Sequence, residues 1–351
     1  MHFRSAVRTL AACACGFACA SPSLAWDCQG HRAIALLGLD AFQQSTPDFP
    51  DWLKPESARI AAASNACEAD RFRALRAPLY LTHENDPDHY LDIEKLEQFG
   101  LTLSTVPPLR YEYVRAMVVA KHEHPDNTDP YNPMMDPARR QEFPGYGAHA
   151  VMEWHGKVAS SFKVVRTLEK LNDPRRQVEL DAARTNALYS MGMLAHFTGD
   201  LAQPLHTTKH HHGWLGDNPE GFTTDRKIHA FIDGEVLVIH QLDYDTLRPT
   251  FKPERTAQAD PWREVLDHIQ RSHDRVRDIY TQVKSGDLEK APGKALITER
   301  LQDGGAMLGA LYASAWKLSE PDEKDVEAFI RYDRWGGIKD VKPNPEARPK
   351  P

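Results

Sequence analysis

The sequence predicts an all-α protein organised as one large helical domain. Three observations carry that expectation. Apolar residues recur at three- and four-residue steps along most of the chain. Runs that alternate with the two-residue period of a strand are scarce, and no Gly-, Pro- or Ser-rich linker divides the middle. Apolar residues make up 41% of the 351 positions, enough for a sizeable core, and no internal repeat is visible.

From the N-terminus, residues 1–25 read as a targeting segment. Arg4 and Arg8 precede a small apolar run, and Ser23 and Ala25 put small residues three and one before a cut. The run is too short to span a bilayer, so an exported chain, periplasmic or secreted and starting at Trp26, is expected. A rival lipoprotein site, Leu10-Ala11-Ala12-Cys13, would leave Trp26 inside the chain. Losing 25 of the 351 residues leaves 326, and losing Arg4 and Arg8 takes the formal charge from −7 to −9. Such a chain does not bind polyanions through long-range attraction, so any phosphate must be held by local cations. Three of the five cysteines leave with the segment. Cys28 and Cys67 remain, an even pair in an oxidising compartment, open to a disulfide or to two thiols.

The helical period then predicts helices over residues 30–42, 151–168, 182–202, 225–240 and 297–315. Residues 122–144 and 206–224, dense in Pro, Asn, Asp, Gly and His, read as loops. Residues 342–351 carry four prolines and read as a disordered tail after a domain spanning 26–341. No segment points to an obligate protein partner.

The chain holds 17 histidines, so pattern matters more than number. His196 and Asp200 are four apart in a strong helical run and project from one face. His229 and Asp233 repeat the spacing on the next helix, and His206 lies between, just past Pro204. Two such pairs and a further His suit a zinc site between helices. His122 and Asp126 share the spacing inside a Pro-rich loop, where it has no geometric meaning. Cleavage before Trp26 frees an α-amine with a pKa of roughly 8, a usable nitrogen donor. Its amine and carbonyl can chelate a metal, with His31 as third donor. An N-terminal tryptophan that merely packs on the core is the bland counterpart.

These ordered motifs resemble the trinuclear-zinc, single-strand-specific secreted nucleases of fungi and plants, which share a superfamily with bacterial zinc phospholipases C. The likeness covers roughly residues 26–319. It rests on Trp26-Asp27-Cys28-Gln29-Gly30-His31, on Ala69-Asp70, and on Asp88-His89-Tyr90-Leu91-Asp92. The most specific element is His196-Phe197-Thr198-Gly199-Asp200-Leu201-Ala202-Gln203-Pro204-Leu205-His206, and His229-Ala230-Phe231-Ile232-Asp233 closes the set. The resemblance implies a helical fold of the phospholipase C/nuclease type with three Zn2+ per chain. Asp70, His89, His196 and Asp200 would hold one zinc. Trp26 and His31 would hold a second, with Asp200 bridging, and His206, His229 and Asp233 a third.

It further implies phosphodiester hydrolysis by a zinc-activated water attacking in line, with 5′-phosphate products from single-stranded DNA or RNA and activity on 3′-nucleotides. Asp70, Arg73 and Asp200 would serve catalysis, with Arg73 on a phosphate oxygen. Tyr90 would stack a base and Asp92 bond its edge; the alternative for Tyr90 is a half-buried core aromatic. A Cys28–Cys67 disulfide would tie two ligand segments together. Several departures stand out. Ile232 replaces a frequent Trp, and a longer gap before His89 leaves His83 as competitor; His89 is preferred because Tyr90 and Asp92 accompany it. His210, His211 and His212 could capture metal, but a solvated loop is the preferred reading. The rivals are a zinc phospholipase C acting on phospholipid and a non-catalytic periplasmic zinc-binding protein. A short gap between Trp26 and His31 and the Asp at 233 favour the nuclease over the former. Arg73, which storage does not require, argues against the latter.

Overall fold

A computed structural model of the chain describes residues 26–128, 139, 143–253 and 260–332. The segment expected to direct targeting, the Pro-rich tail and the middle of the 122–144 loop lie outside these residues. Among the described residues there is no strand, in keeping with the all-α expectation.

The N-terminal part runs through α1 (Cys28–Ser45), α2 (Glu56–Asn65), α3 (Glu68–Ala74), α4 (Leu79–Asn85) and α5 (Arg110–Glu123). Two long helices follow, α6 (Gly147–Leu171) and α7 (Gln177–Asp200). A loop leads to the short α8 (Ile228–Ala230), α9 (Val236–His240) and α10 (Tyr244–Leu247). Then come α11 (Pro261–His273), α12 (Val276–Ser285), the 28-residue α13 (Ala291–Leu318) and α14 (Glu323–Tyr332).

The core forms where α1 packs on α13 and α6 on α7. The Asp27 carboxylate accepts from the Gln29 and Gly30 N–H groups and starts α1, satisfying donors that a helix leaves open. Ile34, Leu37 and Phe42 of that helix are fully buried. Phe42 meets Phe162 at 6.2 Å and Tyr312 at 5.9 Å, and Phe162 meets Trp316 at 5.4 Å edge-on, separations at which aromatic pairs attract beyond their buried area.

The last ten residues of α7, Met191 to Asp200, are all buried. A helix buried all round belongs to the interior, and any polar residue on it needs a reason. Pro204, which cannot continue a helix, opens a tight turn over Pro204–Thr207 instead. The helix expected over 225–240 begins only at Ile228 and is interrupted by a π turn, Phe231–Glu235. Such turns collect at functional sites. No described helix is long and apolar enough to cross a membrane.

Candidate metal centre

The ligand candidates converge where the first turn of α1 meets the last turn of α7. His31 comes from α1, Asp70 from α3, and His196 and Asp200 from α7. His89 and His206 sit on the one-turn segments Asp86–His89 and Pro204–Thr207. His229 and Asp233 come from α8 and the π turn. Two glycines permit the approach. A Cβ on Gly199 would lie 3.0 Å from His31 Nδ1, and one on Gly30 would lie 2.8 Å from Trp26 Cβ.

Three groups of donor atoms result, each within 4.8 Å of one another: His31, Asp70 and His196; His89, His196 and Asp200; His206, His229 and Asp233. Asp200 stands between the first two. Its Oδ2 lies 2.9 Å from His89 Nδ1 and 3.4 Å from His196 Nε2, and its Oδ1 lies 3.4 Å from His31 Nε2. In the third group His229 Nε2 is 3.6 Å from Asp233 Oδ2. Trp26 is fully buried against Gly30, and the Asp27 N–H donates to the Asp233 carbonyl at 3.0 Å. Backbone pairing thus brings Trp26 beside the third group.

Surrounding bonds orient the rings. His196 Nδ1 faces the Ala66 carbonyl at 2.8 Å, and His206 Nδ1 faces the His89 carbonyl at 2.7 Å. Donation there leaves each Nε2 lone pair turned toward its group. Asn85 Nδ2 lies 3.1 Å from His89 Nε2, and Gln203 Nε2 donates to Asp233 Oδ1 at 2.7 Å. Neither Asn85 nor Gln203 was singled out in the sequence, because only their place behind a ligand gives them a role.

The electrostatics test whether this set suits a cation. Burial holds His31, His89 and His229 well below the usual imidazole range, and puts His196 and His206 at about 3. All five rings are neutral near pH 7, the form that ligates metal. Burial raises Asp70 to about 7 despite Arg73, and raises Asp200 well above its ordinary value, helped by Asp70. Several donor atoms form no hydrogen bond: both nitrogens of His31 and of His229, His206 Nε2, both oxygens of Asp70, and Asp200 Oδ1. Buried polar atoms without partners are rare and call for an explanation. A nitrogen- and oxygen-liganded cation such as zinc supplies one, by pairing the lone pairs and stabilising the carboxylates. The residues fit the metal.

No protein-family model and no curated protein matches this chain. The site must therefore be read from its own residues.

Arg73 lies at the edge of the cluster, Nη1 3.9 Å from Asp70 Oδ1 and Nε 3.6 Å from Asp86 Oδ1. Of the two competing histidines, His89 is buried in the cluster and His83 is exposed. Tyr90 is half-buried, its ring 6.4 Å from that of His211. Asp92 is fully buried, 2.9 Å from Lys95 Nζ and 3.6 Å from His211 Nδ1. Burial works against its charge, yet His211 and Lys95 outweigh it and bring Asp92 to about 2. Its carboxylate faces Lys95 and His211 inside the protein.

The expectation of a solvated histidine loop needs correction. His210 is buried and stacks on Trp214 at 4.0 Å, and its Nδ1 accepts from the Leu215 N–H. His211 and His212 are half-buried, with the His212 ring 5.3 Å from that of His229. Polar composition signalled a loop but not that the loop folds back over the third group. Cys28 and Cys67 are unbonded thiols in this structure, the Cys67 Sγ 3.5 Å from the Cys28 carbonyl oxygen.

Proposed function

We propose that this chain is a zinc-dependent phosphoesterase whose substrate is single-stranded nucleic acid. The observation that carries the reading is the buried junction at which five histidines and three aspartates converge, with unpaired donor atoms on His31, Asp70, Asp200, His206 and His229 and with Arg73 at the rim. The ordered nuclease-like motifs supply the substrate class.

Zinc held there would supply Lewis-acid chemistry, acidifying water and neutralising phosphate oxygens. The chain's own residues do the rest. The histidines keep neutral, pre-aimed lone pairs because burial denies them protons. Asp70 and Asp200 provide the charge that retains cations, with Asp200 facing His89 through one oxygen and His31 through the other. Arg73, 16% exposed at its side chain, is the cation placed to hold a non-bridging phosphate oxygen. Tyr90 is the aromatic nearest His89 in sequence and is the candidate to stack an unpaired base. Because the chain is acidic overall, binding depends on this local charge.

A second reading, hydrolysis of phospholipid by the same cluster, is favoured by one feature. The corner between α3 and α4 exposes Leu75 at 83%, and the first turn of α4 exposes Tyr80 at 88%, two and seven residues after Arg73. Exposed apolar residues beside a site suit a lipid surface. The discriminating experiment offers single-stranded DNA, RNA, a 3′-nucleotide and phosphatidylcholine vesicles to one zinc-loaded preparation. Cleavage of the nucleic acids is expected. Phosphatidylcholine hydrolysis with no nucleotide release would overturn the nuclease reading, and three bound zincs with no turnover on any phosphoester would overturn the enzyme.

A further inference from the structure

The inference rests on the metal-site reading and concerns what holds its central ligand turn. His196 and Asp200 lie one turn apart at the end of α7, with Thr198 midway between them. Carbonyls in a last helical turn run out of backbone donors. Here the Ala202 N–H, four residues beyond Thr198, goes to the Gly199 carbonyl at 3.1 Å.

His268 of α11, only 1% exposed, reaches that turn. Its Nε2 lies 3.3 Å from the Thr198 carbonyl oxygen, and its Nδ1 lies 3.0 Å from Asp303 Oδ2 of α13. Both neighbours are acceptors, and a neutral imidazole has one N–H to give. Only the doubly protonated ring donates to both. The Asp303 carboxylate that faces it is also flanked by Arg271 Nε at 3.6 Å and Arg300 Nη1 at 3.5 Å. Arg300 is buried and reaches Ser272 Oγ at 3.3 Å, so α11 and α13 share one polar network.

We propose that His268, oriented by Asp303, is a positioning residue of the metal centre. Its Nε2–H anchors the Thr198 carbonyl and so fixes how the end of α7 presents His196 and Asp200. It belongs to none of the three donor groups, and it acts through the backbone rather than on substrate. The third group takes His206 from the turn after α7 and His229 and Asp233 from α8 and the π turn, so none of its members lies on the helix end that His268 touches.

The test is zinc affinity, read site by site through competition with a chromophoric chelator on the full-length protein. His268→Leu is expected to weaken zinc at the His196–Asp200 groups by about 10- to 100-fold, the range for residues that orient metal ligands, and to leave the third group unchanged. His268→Gln, which keeps one donor, should recover most of that loss, and Asp303→Asn should fall between. If His268→Leu does not fold, the Gln and Asn variants carry the test. Unchanged zinc affinity in folded variants, or an equal loss at all three groups, overturns the positioning role. A wild-type chain that binds no zinc overturns the metal site itself, a separate result seen in the first titration.

Discussion

Between α6 and α13, His155 is 4% exposed and its Nε2 meets Ser314 Oγ at 2.7 Å. At the junction of α1 and α7, His31 is 0% exposed and forms no hydrogen bond at either nitrogen. Both are buried histidines with lowered pKa values, and burial is the leading cause for each. One is a satisfied core residue; the other has its Nε2 facing the carboxylates of Asp70 and Asp200. His240, held by the Leu288 carbonyl at 2.7 Å, belongs with the first kind, and His229 with the second. The contrast teaches that burial alone does not mark a metal ligand. What marks it is burial together with unpaired lone pairs that converge, beside carboxylates pushed toward neutrality.

The largest effect that can break this comparison lies at the junction. Asp200→Asn should lose metal at the two groups it joins and reduce phosphoesterase activity to background, while the metal-free protein is no less stable, since a buried, crowded carboxylate has been removed. Retained activity would take away its bridging role. In the aromatic core the signature reverses. Phe162→Ala should cost about 3–5 kcal/mol in urea unfolding through a cavity and leave zinc content intact.

Arg73→Ala separates binding from rate. It should keep zinc and lose roughly 10²–10³ in kcat, the effect of deleting one donor to a developing oxyanion. Zinc loss in that variant would make Arg73 a structural partner of Asp70 instead.

The smallest effect belongs to His155. Burial lowers its pKa in the fold to about 4, against about 6.5 in the unfolded chain. Between those values the unfolded chain takes up a proton that the fold refuses, so stability is present above pH 6.5 and falls as pH drops toward 4. Relative to the wild type, His155→Leu should spare about 2 kcal/mol of the loss between pH 7 and pH 5, measured in chelator so that metal release does not contribute. Equal slopes for the two proteins would remove His155 from the acid-sensitive set.

Much of the fold was legible because long helices write a 3.6-residue period. The 30–42 pattern lies inside α1, the 151–168 pattern inside α6, and the 297–315 pattern inside α13. Helices α11 and α12 were not singled out, although Val265, Leu266 and Ile269 in the one and Val276, Ile279 and Tyr280 in the other recur at helical steps. The site was legible in part because His196 and Asp200 share a helix face. The link from Asp70 to His31, or from His89 to His206, depends on how distant segments pack, and no local spacing encodes it. The π turn at Phe231–Glu235 and the supporting roles of Asn85, Gln203 and His268 were illegible for the same reason. So was the inward fold of His210 to His212.

The most direct test of the central claim is the zinc content of the purified native chain, measured by atomic spectrometry beside a His229→Ala, Asp233→Asn double variant. The account predicts three zincs per chain in the wild type and two in the variant, with the His196–Asp200 groups still filled. Less than one zinc per chain in the wild type, or an unchanged count in the variant, would contradict it.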